Sequence, residues 1–112
     1  MTPSVLTWKQ AKEKGYLPRQ YDYLPGQLPG GWLVAVLDFK MWADKVLAIN
    51  GYFTLTVTGK QIQLSVYLSA TGSYRVGRGT VDFFRCPVGC SYRLLTGLTA
   101  RGKLALKDIT EI

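Results

Sequence analysis

The chain has 112 residues, 47% of them apolar and 19% charged, which fits one globular domain with a modest core and excludes a disordered polypeptide. Fourteen Lys and Arg stand against seven Asp and Glu, a net charge of +7, so the surface favours polyanions, nucleic acid first and an anionic membrane second. No apolar run approaches the ~20 residues of a membrane span, and MTPSVLTWKQAKEKGY lacks the basic-then-apolar layout of a secretory signal, so the expected location is the cytoplasm.

Residues 4–16 read as a short helix. Ser4 or Thr7 can cap it, WKQAKEK is made of good helix formers, and Gly15 is placed to end it. Leu6 and Trp8 would dock it on the rest of the fold. The next stretch, YLPRQYDYLPGQLPGG, holds Pro18, Pro25 and Pro29, which can neither donate to a ladder nor continue a helix. It reads as an extended, aromatic arm, and residues 1–31 form an N-terminal helix and arm ahead of a β domain over residues 32–112.

Trp32 to Phe39, WLVAVLDF, is a continuous apolar run bounded by Gly30-Gly31 and Lys40, the pattern of a central buried strand. Residues 40–45, KMWADK, break it with two lysines and Trp42, and read as a loop. The next strand starts near Val46 and passes through Asn50-Gly51, where a bulge or sharp bend is expected.

Gly51 to Leu68, GYFTLTVTGKQIQLSVYL, is the most legible stretch. Phe53, Leu55 and Val57 alternate with threonines, and Ile62, Leu64, Val66 and Leu68 alternate with Gln61, Gln63, Ser65 and Tyr67. That period of two marks strands with one face in a core, and Thr58-Gly59-Lys60 supplies the turn of an antiparallel hairpin.

Residues 69–73 read as a turn and residues 74–79, YRVGRG, as a glycine-rich basic connection. Residues 80–85 read as a fourth strand, Cys86 to Cys90 as a turn around Pro87 and Gly89, and Ser91 to Leu95 as a further short strand. After a turn over residues 96–102, residues 103–109 close the domain as a strand with Leu104 and Leu106 inward. Ile109 breaks that alternation and predicts a bulge at Lys107-Asp108.

Five or six short strands with turn signals every 8–12 residues predict an all-β fold, a small closed antiparallel barrel. Over residues 32–112 this pattern resembles the OB-fold, especially OB-fold proteins that bind single-stranded nucleic acid. The resemblance lies in strand pattern and composition, with no specific motif. Residues 69–79 depart from it, being too short and glycine-rich for the helix that OB-folds usually carry there, which keeps an SH3-like barrel as the alternative.

The chain has no histidine, the commonest general base and metal ligand. Cys86 and Cys90 alone make a poor zinc site, and small residues flanking a turn is their plainer reading. Asp38, Asp44 and Asp82 do not pair on one face, no nucleophile sits beside a base, and Arg75 to Gly79 lacks the ending of a phosphate-binding loop. These features point to a non-catalytic role without cofactor or metal. The resemblance and the interleaving of aromatic with basic side chains point to a face for single-stranded DNA or RNA. Its candidates are Lys40, Trp42, Lys45, Tyr52, Lys60, Tyr67, Tyr74, Arg75, Arg78, Phe84 and Arg85. Trp42, between two lysines, reads either as a stacking platform or as a plug for one end of the barrel. The alternative function is a protein–protein adaptor, or a subunit of a larger assembly, that engages its partner through residues 16–31.

Overall fold

In a computed structural model the described residues are 5–14, 32–43, 47–70, 72–76, 81–98, 100 and 104–112, with the side chains of Trp8, Leu98 and Leu104 left aside. The expected arm over residues 16–31 lies outside them. No helix among the described residues is long and apolar enough to cross a membrane.

The elements run β1 (Val5–Leu6), α1 (Trp8–Glu13), β2 (Trp32–Trp42), β3 (Ala48–Leu55), β4 (Gln61–Tyr67), β5 (Arg75–Val76), β6 (Val81–Asp82), a 3-10 turn (Phe83–Arg85), β7 (Ser91–Leu98) and β8 (Leu104–Glu111). The main sheet is ordered β1-β2-β3-β4-β8-β7, and β7 pairs back onto β2, so five strands form a ring. β2, β3 and β4 meander, and β7 returns beside β2, a Greek-key order. The parallel junction of β4 with β8 rests on one paired position, Ser65 with Ala105.

β2 serves three neighbours because it is long and bulged. Trp32 to Val36 pair with β7, Ala35 to Trp42 pair with β3, and β1 runs parallel along Lys40 and Met41. Leu37 pairs with Phe53 and Phe39 with Tyr52, which leaves Asp38 as the extra residue. Its carboxylate accepts a 2.6 Å hydrogen bond from the Thr54 hydroxyl. One extra residue swaps the faces. Ala35 and Leu37 belong to the core inside the ring, whereas Phe39 and Met41 join Leu6, Ala11 and Tyr52 in a second cluster.

Inside the ring, Leu37, Ile49, Phe53, Leu64, Leu94 and Ile109 are fully buried. Phe83 enters from the 3-10 turn and stacks on Phe53 with ring centroids 6.2 Å apart. Gly51 makes room for it, since a Cβ there would stand 2.6 Å from the Phe83 ring and 2.8 Å from Phe53.

The hairpin, the Cys86–Cys90 turn and the bulge at Lys107 stand as expected, whereas the strand from Trp32 is buried on one face only, with Trp32 and Val34 exposed. Leu95 faces Asp108 and Thr96 faces Leu106, so Lys107 is extra, and Ile109 returns to the core. Other boundaries move. The helix spans only Trp8–Glu13, because Val5 and Leu6 are taken up by pairing with β2 and Thr7 is its N-cap. Thr7 and Gln10 make reciprocal side-chain to backbone hydrogen bonds of 3.2 and 2.9 Å, a capping box.

Residues 40–42 belong to strand β2 rather than to a loop. The bulge at Asp38 resets the alternation and makes Lys40 and Trp42 look misplaced in the sequence. Asn50-Gly51 pair regularly and carry no bulge. Val57 is 92% exposed instead of inward, because the strand stops at Leu55 and residues 56–58 turn. Of the strand expected over residues 80–85, residue 80 lies outside the described residues, Val81–Asp82 is strand, and Phe83–Arg85 is not. Asp82 then caps a 3-10 turn by accepting a hydrogen bond from the Phe84 backbone N–H.

Candidate functional site

The end of the ring at which β2 finishes carries an aromatic cluster. Trp42 is half-buried on the core, and Tyr74 meets it edge-on at 5.6 Å between centroids. Phe84, from the 3-10 turn, lies tilted against the same indole at 5.9 Å and is 37% exposed. Edge-on and tilted contacts suit the ring quadrupoles, and Trp42 and Tyr74 are each half-buried.

Arg75 and Arg85 follow Tyr74 and Phe84 in sequence, and both are exposed. Arg75 is opposite Asp82 in the β5–β6 pair, and the Arg85 guanidinium reaches the Asp82 carboxylate at 3.8 Å. The Arg85 side chain is 81% exposed, so that long contact holds it weakly. Tyr67 ends β4 opposite Ala48 and is also exposed, at the end of the ring where β2 finishes.

Of the eleven candidates, the structure therefore brings Trp42, Tyr74, Arg75, Phe84 and Arg85 to one place, with Tyr67 at the same end of the ring. Lys60 is at the tip of the β3–β4 hairpin, at the opposite end of these strands. Lys45 and Arg78 lie outside the described residues.

Two placements need correcting. Tyr52 is buried, stacked on Phe39 at 4.4 Å and covered by the cluster that includes Leu6 and Ala11, so no base can reach its ring. Burial raises its hydroxyl pKa, an effect partly offset by a hydrogen bond with Asn50. Lys40 is 0% exposed and is no phosphate contact. The bulge turns its side chain to the inside, where the ammonium donates to the carbonyls of Phe83 (3.0 Å), Phe84 (2.8 Å) and Cys86 (2.6 Å). Burial pulls its pKa down to about 8, partly offset by Cys86 and Asp82.

The thiols are free, Cys86 buried and Cys90 exposed. Burial pushes the Cys86 thiol up to about 11, partly offset by Lys40. Among the described residues no three His, Cys, Asp or Glu side chains gather into a metal site.

Sequence reasoning missed one surface pair. Trp32, expected to be buried, is 41% exposed, with the Arg93 guanidinium 5.4 Å above its ring. The signal was available: Trp32 and Val34 share a strand face opposite to Leu33 and Ala35, and the first residues of a strand often pass beyond the core.

Comparison with protein families, with curated proteins and with solved structures finds no match for this chain.

Proposed function

We propose that this protein binds single-stranded DNA or RNA without catalysis, on a ring that is an OB-type barrel. The observation that carries the reading is the convergence of Trp42, Tyr74 and Phe84, from three separate parts of the chain, into one partly exposed aromatic cluster, with the exposed Arg75 and Arg85 next in sequence to two of its rings. Bases stack on such rings for about 1–3 kcal/mol each, whatever their identity, while the guanidinium groups meet phosphates.

The Greek-key ring supports the barrel assignment, since an OB-fold is a five-stranded Greek-key barrel that binds with its second and third strands and the loops beside them. In this chain those strands correspond to β3 and β4. The short β5–β6 ribbon and the 3-10 turn occupy the place of the usual helix, and α1 covers part of the outer face at Tyr52. Binding is thereby concentrated at the Trp42 end. Two free thiols are in keeping with a reducing compartment such as the cytoplasm.

The deciding experiment is a titration of a labelled single-stranded oligonucleotide at about 50 mM and about 200 mM salt. Affinity falls as salt rises, because phosphate contacts release counterions, and a matching duplex binds more weakly. No binding at the lower salt overturns the reading.

A further inference from the structure

We propose that Lys40 is the positioning residue of the aromatic platform, its ammonium setting where Phe84 stands by tying the carbonyls of the turn that carries it. Only the functional consequence rests on the nucleic-acid reading. The geometric claim stands apart from it.

Phe83 in the core and the Asp82 cap on the Phe84 N–H anchor the start of the 3-10 turn, but few backbone bonds fix its later residues. Within Phe83–Arg85 and its flanks the backbone bonds are Cys86 N–H to the Phe83 carbonyl at 3.2 Å and Phe83 N–H to the Tyr74 carbonyl at 2.9 Å. Lys40 adds three bonds, of 2.6 to 3.0 Å, to Phe83, Phe84 and Cys86. An ammonium has three N–H donors and no acceptor, so the match with three carbonyls is complete. A cation facing the last carbonyls of a helical turn also complements their dipoles.

The lysine is itself anchored. Its backbone pairs with Val5 on one side and Gly51 on the other, both within the main sheet. The anchoring strand also ends in Trp42, the centre of the platform. One strand thus presents the indole and, two residues earlier, fixes the turn whose Phe84 lies on it. Without the ammonium, the Phe84 and Cys86 carbonyls lose this donor, the latter in a buried site, and the Phe83 carbonyl keeps only the Cys86 N–H. The buried Cys86 carbonyl reaches water when the turn rotates outward, and that lifts Phe84 from Trp42.

The test uses Lys40→Met, which keeps the length and apolar stem of the side chain but donates nothing. In a Trp8→Phe/Trp32→Phe background Trp42 is the sole tryptophan, and Lys40→Met shifts its emission to the red as Phe84 leaves. Oligonucleotide affinity falls about tenfold. In a Phe84→Ala background the same substitution costs almost nothing further, since it acts through a ring already removed. An equal loss in both backgrounds, or an unmoved Trp42 emission in a folded Lys40→Met protein, overturns the proposal.

If Lys40→Met does not fold, the parent protein decides by nitrogen-15 NMR of the lysine side chains. A slowly exchanging Lys40 ammonium signal that moves on saturation with oligonucleotide, although the ligand cannot touch it, supports the coupling. A signal that stays fixed while Phe84 and Trp42 signals move sinks it. If the parent binds no oligonucleotide, the function proposal fails, and the Trp42 emission, or slow exchange of the Lys40 ammonium where the variant does not fold, still decides this one.

Discussion

Trp42 and Phe84 meet with ring centroids 5.9 Å apart, one at the end of strand β2 and the other on a turn reached only after two further strands and the β5–β6 ribbon. Phe84 contributes mainly surface, whereas Trp42 also packs on the core. Trp42 thus packs on the core, as a plug does, and keeps the partial exposure that the proposed platform requires.

The two rings separate by substitution. Phe84→Ala weakens oligonucleotide binding by about 1–3 kcal/mol and lowers stability by about 0.5–1.5 kcal/mol through loss of its contact with Trp42. Trp42→Ala weakens binding similarly and also lowers stability, by about 2–4 kcal/mol, because it opens a cavity beside the core. Fluorescence anisotropy and urea unfolding on the same samples check both. A Phe84→Ala protein that binds like the parent removes the ring from the site.

How far the sequence was legible depends on where each element gets its instructions. The β3–β4 hairpin was readable because alternation and Gly59, whose φ is +73°, are local signals. The bulge at Lys107 was readable from Ile109 alone. The bulge at Asp38 was not, since nothing local distinguishes it from a strand end, and that one residue misplaced Lys40, Trp42 and Tyr52 together. The 3-10 turn was hidden for a similar reason. Its hold on the ring comes from Lys40 and from Phe83 filling the core, contacts far apart in sequence. The five grouped site residues were legible as a composition, aromatic beside basic, but their meeting depends on tertiary pairing.

Gly51→Ala tests the fit of Phe83. The new Cβ falls 2.6 Å from one ring and 2.8 Å from another, both packed in the core. Overpacking of this kind costs about 1–3 kcal/mol. Phe83→Leu in the same chain recovers part of the loss, because the smaller side chain gives way. Additive losses in the double mutant would show that the glycine is needed for some other reason.

Stability depends on pH in the alkaline range, and the signs oppose one another. Lys40 titrates at about 8 in the fold against 10.5 unfolded, so between these values the unfolded chain binds more protons and stability rises with pH. Cys86 titrates at about 11 in the fold against 9.0 unfolded, so its contribution is full below pH 9 and is lost as pH climbs to 11. Tyr92, raised by burial, adds to that loss above pH 10. Unfolding free energy measured in denaturant should rise from pH 8 to 9, level off while the two opposed slopes cancel, and fall above about pH 10 as Tyr92 adds its loss. Lys40→Met removes the rise and Cys86→Ala flattens the fall. A stability that declines steadily from pH 8 contradicts the assignment to Lys40.

The two exposed arginine settings respond differently to salt. Arg85 stands beside the platform with a weak hold on Asp82, whereas Arg93 covers the ring of Trp32 near the other end of β2. Arg85→Ala should weaken oligonucleotide binding and reduce the slope of log affinity against log salt by about 0.7, the value for one phosphate contact on a single strand. Arg93→Ala should leave that slope unchanged and lower stability by about 0.5–1 kcal/mol through loss of the cation–π contact. A slope that drops for Arg93→Ala and holds for Arg85→Ala would move the interface to the Trp32 end of the ring.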